Sequence, residues 1–541
     1  MLSFLRKLLH QETDGVAAAA FIVGAASLAS RLVGLLRDRV LAATFGAGDV
    51  LDAYYAAFRI PDFLYNLVIL GALSAAFIPV FTEYMETRTK EDAWKLASRM
   101  LSMVSVVMAV ACVGLFLFAP QIVPLTVPGF TGEKLGMTIT LSRVMLLSTF
   151  FLAMSAVMGG VLQSLRRFFA FSIAPVLYNI GIIFGAVVLV PMMGAVGLGW
   201  GVVVGALFHF LIQAFVARGL GMPTWGALTI RDAGVHRILM LMGPRTAGLA
   251  VAQINLIIIL AFASSLSQGS VTVLNFAMNL QYVPIGLFAI SFAVAAFPQL
   301  SRFAAPQDAA SFRKALHDAT RMVLFLILPS AAILIVLRAQ IVRVLLGAGA
   351  FDWDATIRTA DALAIFAFSL LPQALQPLYA RAFYALQQTW TPFFIGVAAE
   401  IVNLVFAWFF YVRFGVAGLA AAFSISAWVG MGLMFWQLRR KRGSLGLRSL
   451  WPSYGTAILG SIALMVSAYF ARTVIGTWYP LRTLWQVSLQ AGCAAFVGCA
   501  AFIGVAILCK SPEWRELSET IRRRVWRRAK VTEGAGEAQG V

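Results

Sequence analysis

The sequence predicts an all-α polytopic membrane protein of about fourteen transmembrane helices, built as two parallel six-helix repeats plus two C-terminal helices. Three observations predict it. Of 541 residues, 61% are hydrophobic and 12% are charged, whereas soluble domains carry about 25% charged residues. Apolar runs of spanning length follow one another from Val16 to Cys509. Related motifs return after about 220 residues.

Span 1 runs from Val16 to Phe45 and contains S-L-A-S-R-L-V-G-L-L-R-D-R at Ser27–Arg39. With Arg31 set at zero, Asp38 falls at about −20°, Ser27 at −40°, Gly34 at −60°, Ser30 at −100° and Arg37 at −120°. Leu28, Leu32, Leu35 and Leu36 fill the other side. A polar stripe of roughly 120° cannot face lipid, because a buried arginine costs about 3 kcal/mol or more unless it meets a cavity or a partner. A cationic stripe inside a helix bundle suits an anionic ligand. Arg37, Asp38 and Arg39 could instead snorkel to the headgroups from the helix end.

The other spans centre near residues 68, 107, 150, 181, 206, 252, 285, 329, 371, 400, 426, 462 and 496. The net charge of +19 follows the loops. Arg88, Lys90, Lys95, Arg166, Arg167, Arg218, Arg231, Arg237, Arg302, Arg313, Lys314 and Arg439–Arg442 all fall in even-numbered loops. That bias puts both termini in the cytoplasm and makes the charge a matter of topology, not of nucleic acid. Met1–Asp14 is short and polar-capped, and the apolar run after it is of spanning length, so it does not read as a cleaved signal. Cys112, Cys493, Cys499 and Cys509 sit in apolar runs without metal spacing, and the four histidines are scattered.

The repeat pairs G-A-V-G-L at Gly194–Leu198 with G-V-A-G-L at Gly415–Leu419, and A-A-F-I-P-V-F at Ala75–Phe81 with A-A-F-P-Q-L at Ala295–Leu300. It also pairs V-L-Q-S-L-R-R at Val161–Arg167 with F-Y-A-L-Q-Q at Phe383–Gln388, and Phe130 with Phe351. Six spans per copy give both copies one orientation, with a substrate site expected between them. The chain divides into an N-lobe at 1–218, a cytoplasmic linker at 219–237, a C-lobe at 238–442, two added helices at 443–510 and a basic amphipathic tail at 511–541. Pro512–Lys530 suits an anionic inner leaflet, or plain topological anchoring.

Ionisable and amide groups mark five further spans. Span 2 opens L-D-A-Y-Y-A-A-F-R-I-P-D, where Asp52 and Arg59 share a face at the spacing of Arg31 and Asp38. Cross-pairing of the two helices would leave a cation for ligand; a purely structural ion pair is the alternative. Pro61 loosens the helix. Span 7 carries Arg245, Gln253 and Asn255, span 8 Asn275, Asn279, Gln281 and Pro284, and span 10 Asp361, Gln376 and Arg381. In span 11, Glu400 with Asn403, and Asn255 from span 7, form a candidate proton or monovalent-cation site; an interhelical hydrogen bond would explain Glu400 equally well. No bound cofactor is implied, beyond a coupling cation or the membrane potential.

Six plus six plus two spans, with S-R-L-V-G-L-L-R-D in span 1, resembles the MurJ/MviN family of lipid II flippases. D-A-Y-Y-A-A-F-R-I-P at Asp52–Pro61, G-A-L-S-A-A-F-I-P at Gly71–Pro79, P-G-F at Pro128–Phe130, M-G-P-R-T-A-G-L-A-V-A-Q-I-N at Met242–Asn255 and A-R-A-F-Y-A-L-Q-Q-T-W-T-P at Ala380–Pro392 extend it over the whole chain. The resemblance implies a non-enzymatic flippase of the bacterial cytoplasmic (inner) membrane. It would carry lipid II, or a related polyprenyl-pyrophosphate saccharide, to the outer leaflet by alternating access during cell-wall synthesis. It also implies that Arg31, Arg37, Asp38 and Asp52 serve the head group, with Arg59 and Arg245 as further candidates, because arginine grips pyrophosphate bidentately. The added helices would receive the polyprenyl tail. A monomer is expected, with cell-wall synthesis proteins as partners.

Family members carry an arginine where this chain has Tyr65, a glutamate at Leu70 and an arginine at Asn279. These departures keep open a flippase for another polyprenyl-linked saccharide. A cation-coupled drug exporter would want an acidic cavity. A membrane glycosyltransferase would want a metal-binding pair, for which Asp352 and Asp354 are the sole candidate; a scaffold without transport is the last alternative.

Overall fold

In the computed structural model, residues 16–70, 73–223, 225–229, 232–443, 450–478, 483–520 and 522 are described. The short segment Met1–Asp14, the last part of the basic tail and the side chains of Arg245 and Leu70 lie outside the described residues.

The fold is helical throughout the described residues. The first helices are α1 (Val16–Phe45), α2 (Asp49–Ala57), α3 (Arg59–Tyr65), α4 (Leu73–Thr87), α5 (Lys90–Thr126) and α6 (Gly132–Ser164). There follow α7 (Phe168–Met193), α8 (Val196–Gly219), α9 (Ala233–Ser264), α10 (Ser270–Arg302) and α11 (Ala309–Val336). The remainder are α12 (Arg338–Leu345), α13 (Trp353–Ala367), α14 (Leu370–Ala385), α15 (Trp390–Arg442), α16 (Trp451–Trp478), α17 (Leu484–Leu508) and α18 at residues 512–520. Among the described residues nine helices are long and apolar enough to span, and the pair α13–α14, bent by 44°, makes ten. The 53-residue α15 is two helices meeting at Gly415, whose φ of 56° is not helical.

The internal repeat is visible in backbone detail. Wide π turns interrupt the helices at Asn66–Leu70 and at Ile285–Ala289. Arg166 and Gln387 both take left-handed φ, 56° and 58°. After each, the next amide closes a six-residue turn: Arg167 N–H donates to the Leu162 carbonyl at 2.8 Å, and Gln388 N–H to Phe383 at 2.9 Å. This is the glycine-type helix ending made here by non-glycine residues. Gly194 and Gly415 match in the same way.

Two compact units are formed by Met1–Phe276 with Leu345–Thr356 and Ala407–Leu419, and by Ala277–Val344 with Ile357–Phe406 and Ala420–Val541. In the first, Phe77, Phe81, Trp94, Met100, Met108, Met158 and Val161 are buried in one core. Here α7 and α8 cross backbone to backbone. A Cβ on Gly181 would lie 2.2 Å from Gly205 Cα, and one on Gly201 would lie 2.5 Å from Gly185 Cα. Small residues every fourth position permit that approach, which holds helices together where lipid offers no hydrophobic drive. Asp232 caps α9 through the amides of Gly234 and Val235 and pairs with Arg99 on α5.

In the second unit, Phe325 of α11 meets Phe502 of α17, rings 5.0 Å apart, beside Leu464 and Ala468 of α16. The tail is docked here. Glu513 is 1% exposed, takes a 2.5 Å bond from Ser453 and a 2.6 Å bond from Ser511, and has Arg321 at 3.6 Å.

Candidate functional site

The α1 stripe is seated as its pattern requires. Leu28, Leu32 and Leu36 are more than half exposed, on the face that belongs to lipid, while Asp38 is buried. Arg37 Nε and Nη2 donate to Asp38 Oδ1 at 3.0 and 2.7 Å, and Nη1 donates to Asn179 Oδ1 of α7 at 3.0 Å. Asn179 is held in turn by the Pro175 carbonyl at 3.0 Å, and Gly34 gives it room. Three of the five guanidinium N–H groups are thereby fixed, and the other two have no partner among the described residues. Tyr54 and Tyr55, packed edge to face at 5.3 Å, lie within electrostatic range of Arg37 and Asp38. Arg31 and Arg39 are half-buried on the same helix.

Asp52 takes a different part. Its Oδ1 accepts from the Thr272 amide at 2.9 Å and the Thr272 hydroxyl at 2.8 Å. Its Oδ2 accepts from the Gly269 amide and from Lys134 Nζ, both at 2.8 Å. Lys134 also pairs with Asp49 at 2.7 Å and lies 4.2 Å over the Phe130 ring. Every one of these partners lies outside α1. Asp52 is a helix cap and a structural anion for α10, since a carboxylate suits the N-terminal amides and the helix dipole. Arg59 likewise finds an amide: Nη2 donates to Asn275 Oδ1 at 2.9 Å. Pro61 cannot donate to the Ala57 carbonyl, and the Ser142 hydroxyl reaches it at 3.4 Å.

Of the remaining candidates, Glu400 and Asn403 share a side-chain hydrogen bond on α15, with Asn403 buried. Asn255 is buried in α9. Tyr65 is half-buried at the end of α3 and Asn279 is exposed on α10. Asp352 accepts from the Ala355 amide at 2.8 Å, so the D-W-D segment starts α13 as a cap. No group of three potential ligand residues that could hold a metal exists among the described residues. The sequence reading missed Asn179 and Lys134 as partners. P-G-F followed by Lys134 carried a signal for the second, because a lysine four residues past a buried aromatic can fold back over it.

A sequence model of lipid II flippase MurJ matches residues 41–489. The chain belongs to the MurJ family. Lipid II flippase MurJ of Burkholderia cenocepacia is 29% identical over 477 residues, 86% of this chain and 92% of that protein. The probable lipid II flippase MurJ of Vibrio cholerae is 34% identical over 432 residues, 76% and 81% of the two chains. Among solved structures, an inward closed lipid II flippase MurJ aligns with TM-score 0.74 at 24% identity, over 92% of this chain and 99% of that one. An inward-facing MATE multidrug transporter aligns with TM-score 0.64 at 16% identity, over 77% and 95%. At those identities both alignments speak for the fold. The matched stretch begins at residue 41, at the end of α1, and MurJ membership accounts for the helical membrane scaffold that follows.

Proposed function

We propose that this chain is a transporter, not an enzyme, that carries lipid II from the inner to the outer leaflet of the bacterial cytoplasmic membrane for cell-wall synthesis. The observation that carries the reading is Arg37: an arginine within a membrane helix, oriented by Asp38 and Asn179 with two N–H groups left over. A preset fork of donors in a low-dielectric setting is what a pyrophosphate head group needs. Membership of the MurJ family supports the cargo. Alternating access of the two repeats across about fourteen spans, with both termini cytoplasmic, is supported by the repeat and by the loop charges. Glu400 with Asn403 is the place for a coupling proton or monovalent cation, and the protein works as a monomer beside cell-wall synthesis enzymes.

The departures at Tyr65 and Asn279 favour one second reading, a related polyprenyl-pyrophosphate saccharide as cargo. Complementation separates the two. The chain is expressed in a bacterium whose own lipid II flippase can be switched off, with outer-leaflet lipid II as readout. Rescue supports lipid II; stable protein without rescue points to the other saccharide.

A further inference from the structure

Away from the α1 stripe, the second unit holds a cavity of about 360 Å³ where three helices end. Its wall is made by Ala305 after α10, Gln387 and Gln388 after α14, and Lys441 and Arg442 at the end of α15. Arg442 is fixed on one side: it donates to the carbonyls of Ala304 and, at 3.2 Å, Ala305, and lies 5.1 Å over the Phe312 ring. Carbonyls and a ring orient a guanidinium without cancelling its charge. Among the described residues no carboxylate lies within ion-pair distance of Lys441 or Arg442. The Gln388 side-chain oxygen is buried with no hydrogen-bond partner among the described residues, although it belongs to the cavity wall. A buried, unmatched acceptor beside two cations is costly unless a ligand supplies both a donor and an anion.

We propose that this cavity binds the head group of an anionic glycerophospholipid, its phosphodiester held by Lys441 and Arg442 and a head-group hydroxyl donated to Gln388. The lipid source is argued from the surroundings. Trp390, next along the chain but one from Gln388, is 60% exposed, Phe394 is 61% exposed and Trp436 is 51% exposed, with Arg440 4.4 Å over the Trp436 ring. Exposed tryptophans with basic residues mark the membrane–water interface, where basic pockets between helix ends take lipid head groups. The left-handed turn at Gln387 sets the geometry, placing Gln388 toward the pocket at the α14 terminus.

The test is native mass spectrometry of the purified, delipidated full-length protein with phosphatidylglycerol, phosphatidylcholine or inorganic phosphate added. Wild type retains phosphatidylglycerol in preference to phosphatidylcholine, and Lys441→Gln and Gln388→Leu each weaken retention by about tenfold, the loss of one charge-assisted or otherwise unmatched bond. Among the described residues the Lys441 side chain makes no bond, so its variant folds normally; thermal melting verifies this, and Arg442→Gln is a further variant. Equal retention of the two lipids, or retention unchanged in both Lys441→Gln and Gln388→Leu, overturns the proposal. Displacement of phosphatidylglycerol by inorganic phosphate alone overturns its lipid part and identifies a soluble phosphate compound as the ligand.

Discussion

Asp52 caps the helix that begins beside Thr272, and Thr272 is its own counterpart 220 residues along the chain. The contact joins the second span of one copy to the start of the second span of the other. Two further contacts agree. Gly129 N–H donates to the Ser264 hydroxyl at the end of α9, while Ala350 N–H, after Gly349, donates to the Ala43 carbonyl at the end of α1. Gly129 and Gly349 are about 220 residues apart, as are Ala43 and Ser264. Each loop therefore grips the first helix of the other copy.

Asp52 is the member of this arrangement with most to lose. Its carboxylate is 2% exposed and serves four donors, one of them the Lys134 cation. Asp52→Ala leaves two amides, a hydroxyl and a half-paired lysine without their acceptor. The expected cost is about 3–5 kcal/mol, the range for breaking a buried pair. Asp52→Asn keeps one acceptor oxygen and falls between the two in thermal unfolding of the purified protein. An alanine variant that melts with wild type contradicts the capping role.

Arg37 predicts a failure of conservative replacement. Lysine carries the charge but cannot reach Asp38 and Asn179 with a planar fork while holding two donors outward. Arg37→Lys should therefore lower lipid II translocation nearly as far as Arg37→Ala, each by more than about tenfold, at unchanged protein levels. Asn179→Leu, which releases Nη1 without touching the charge, should have a smaller effect of the same sign. If Arg37→Lys translocates normally, charge alone suffices and the fork is irrelevant.

The helical architecture and the repeat were legible because lipid imposes one requirement on every span, internal satisfaction of the backbone. The leucine stripe of α1 predicted its exposed face for the same reason. The partners of the polar groups were not legible. Asp52 finds Lys134 82 residues away and Arg37 finds Asn179 142 residues away, and no local period connects such pairs. The spacing shared by Arg31–Asp38 and Asp52–Arg59 suggested pairing between the two helices. Asp52 instead serves a buried helix start, where a carboxylate satisfies unpaired amides that a guanidinium cannot. The glycine seam of α7 and α8 was in plain view as G-L-G-W-G-V-V-V-G, but it shows its purpose only once the helices cross.

Glycine positions give a paired prediction. Gly349 has a φ of 54°, and a Cβ there would lie 2.2 Å from the Ala43 carbonyl oxygen. Gly349→Ala must both strain the turn and push the loop off α1, at a cost of about 2 kcal/mol or more. Gly396 sits within α15 with nothing within 4 Å of a Cβ. Gly396→Ala should be neutral or stabilising by up to about 1 kcal/mol, since alanine is the better helix former. Melting temperatures that move together in the two variants would count against the close approach.

Glu513 makes a prediction about the tail. Its two oxygens are engaged by Ser453 and Ser511, and Arg321 stands beside it, bonded also to Asp318 at 3.2 Å. Ser511 is the cap of the helix, its hydroxyl accepting from the Trp514 amide at 3.3 Å, so Glu513 ties the first turn of α18 to α16 and α11 together. Glu513→Ala strips acceptors from two buried hydroxyls and removes one of the carboxylates around Arg321, which keeps Asp318, and should cost about 3 kcal/mol. Ser453→Ala removes a single bond and should cost about 1 kcal/mol. Because the affected contacts hold one short helix, the loss should appear locally, as amide hydrogen exchange over residues 512–520 that quickens by more than tenfold at about 1.4 kcal/mol per decade. Exchange in α5 and α6, whose cores do not include Glu513, should stay as in wild type. If residues 512–520 keep wild-type protection in Glu513→Ala, the apolar contacts of Trp514 and Leu517 with the α16–α17 core are enough to hold the tail.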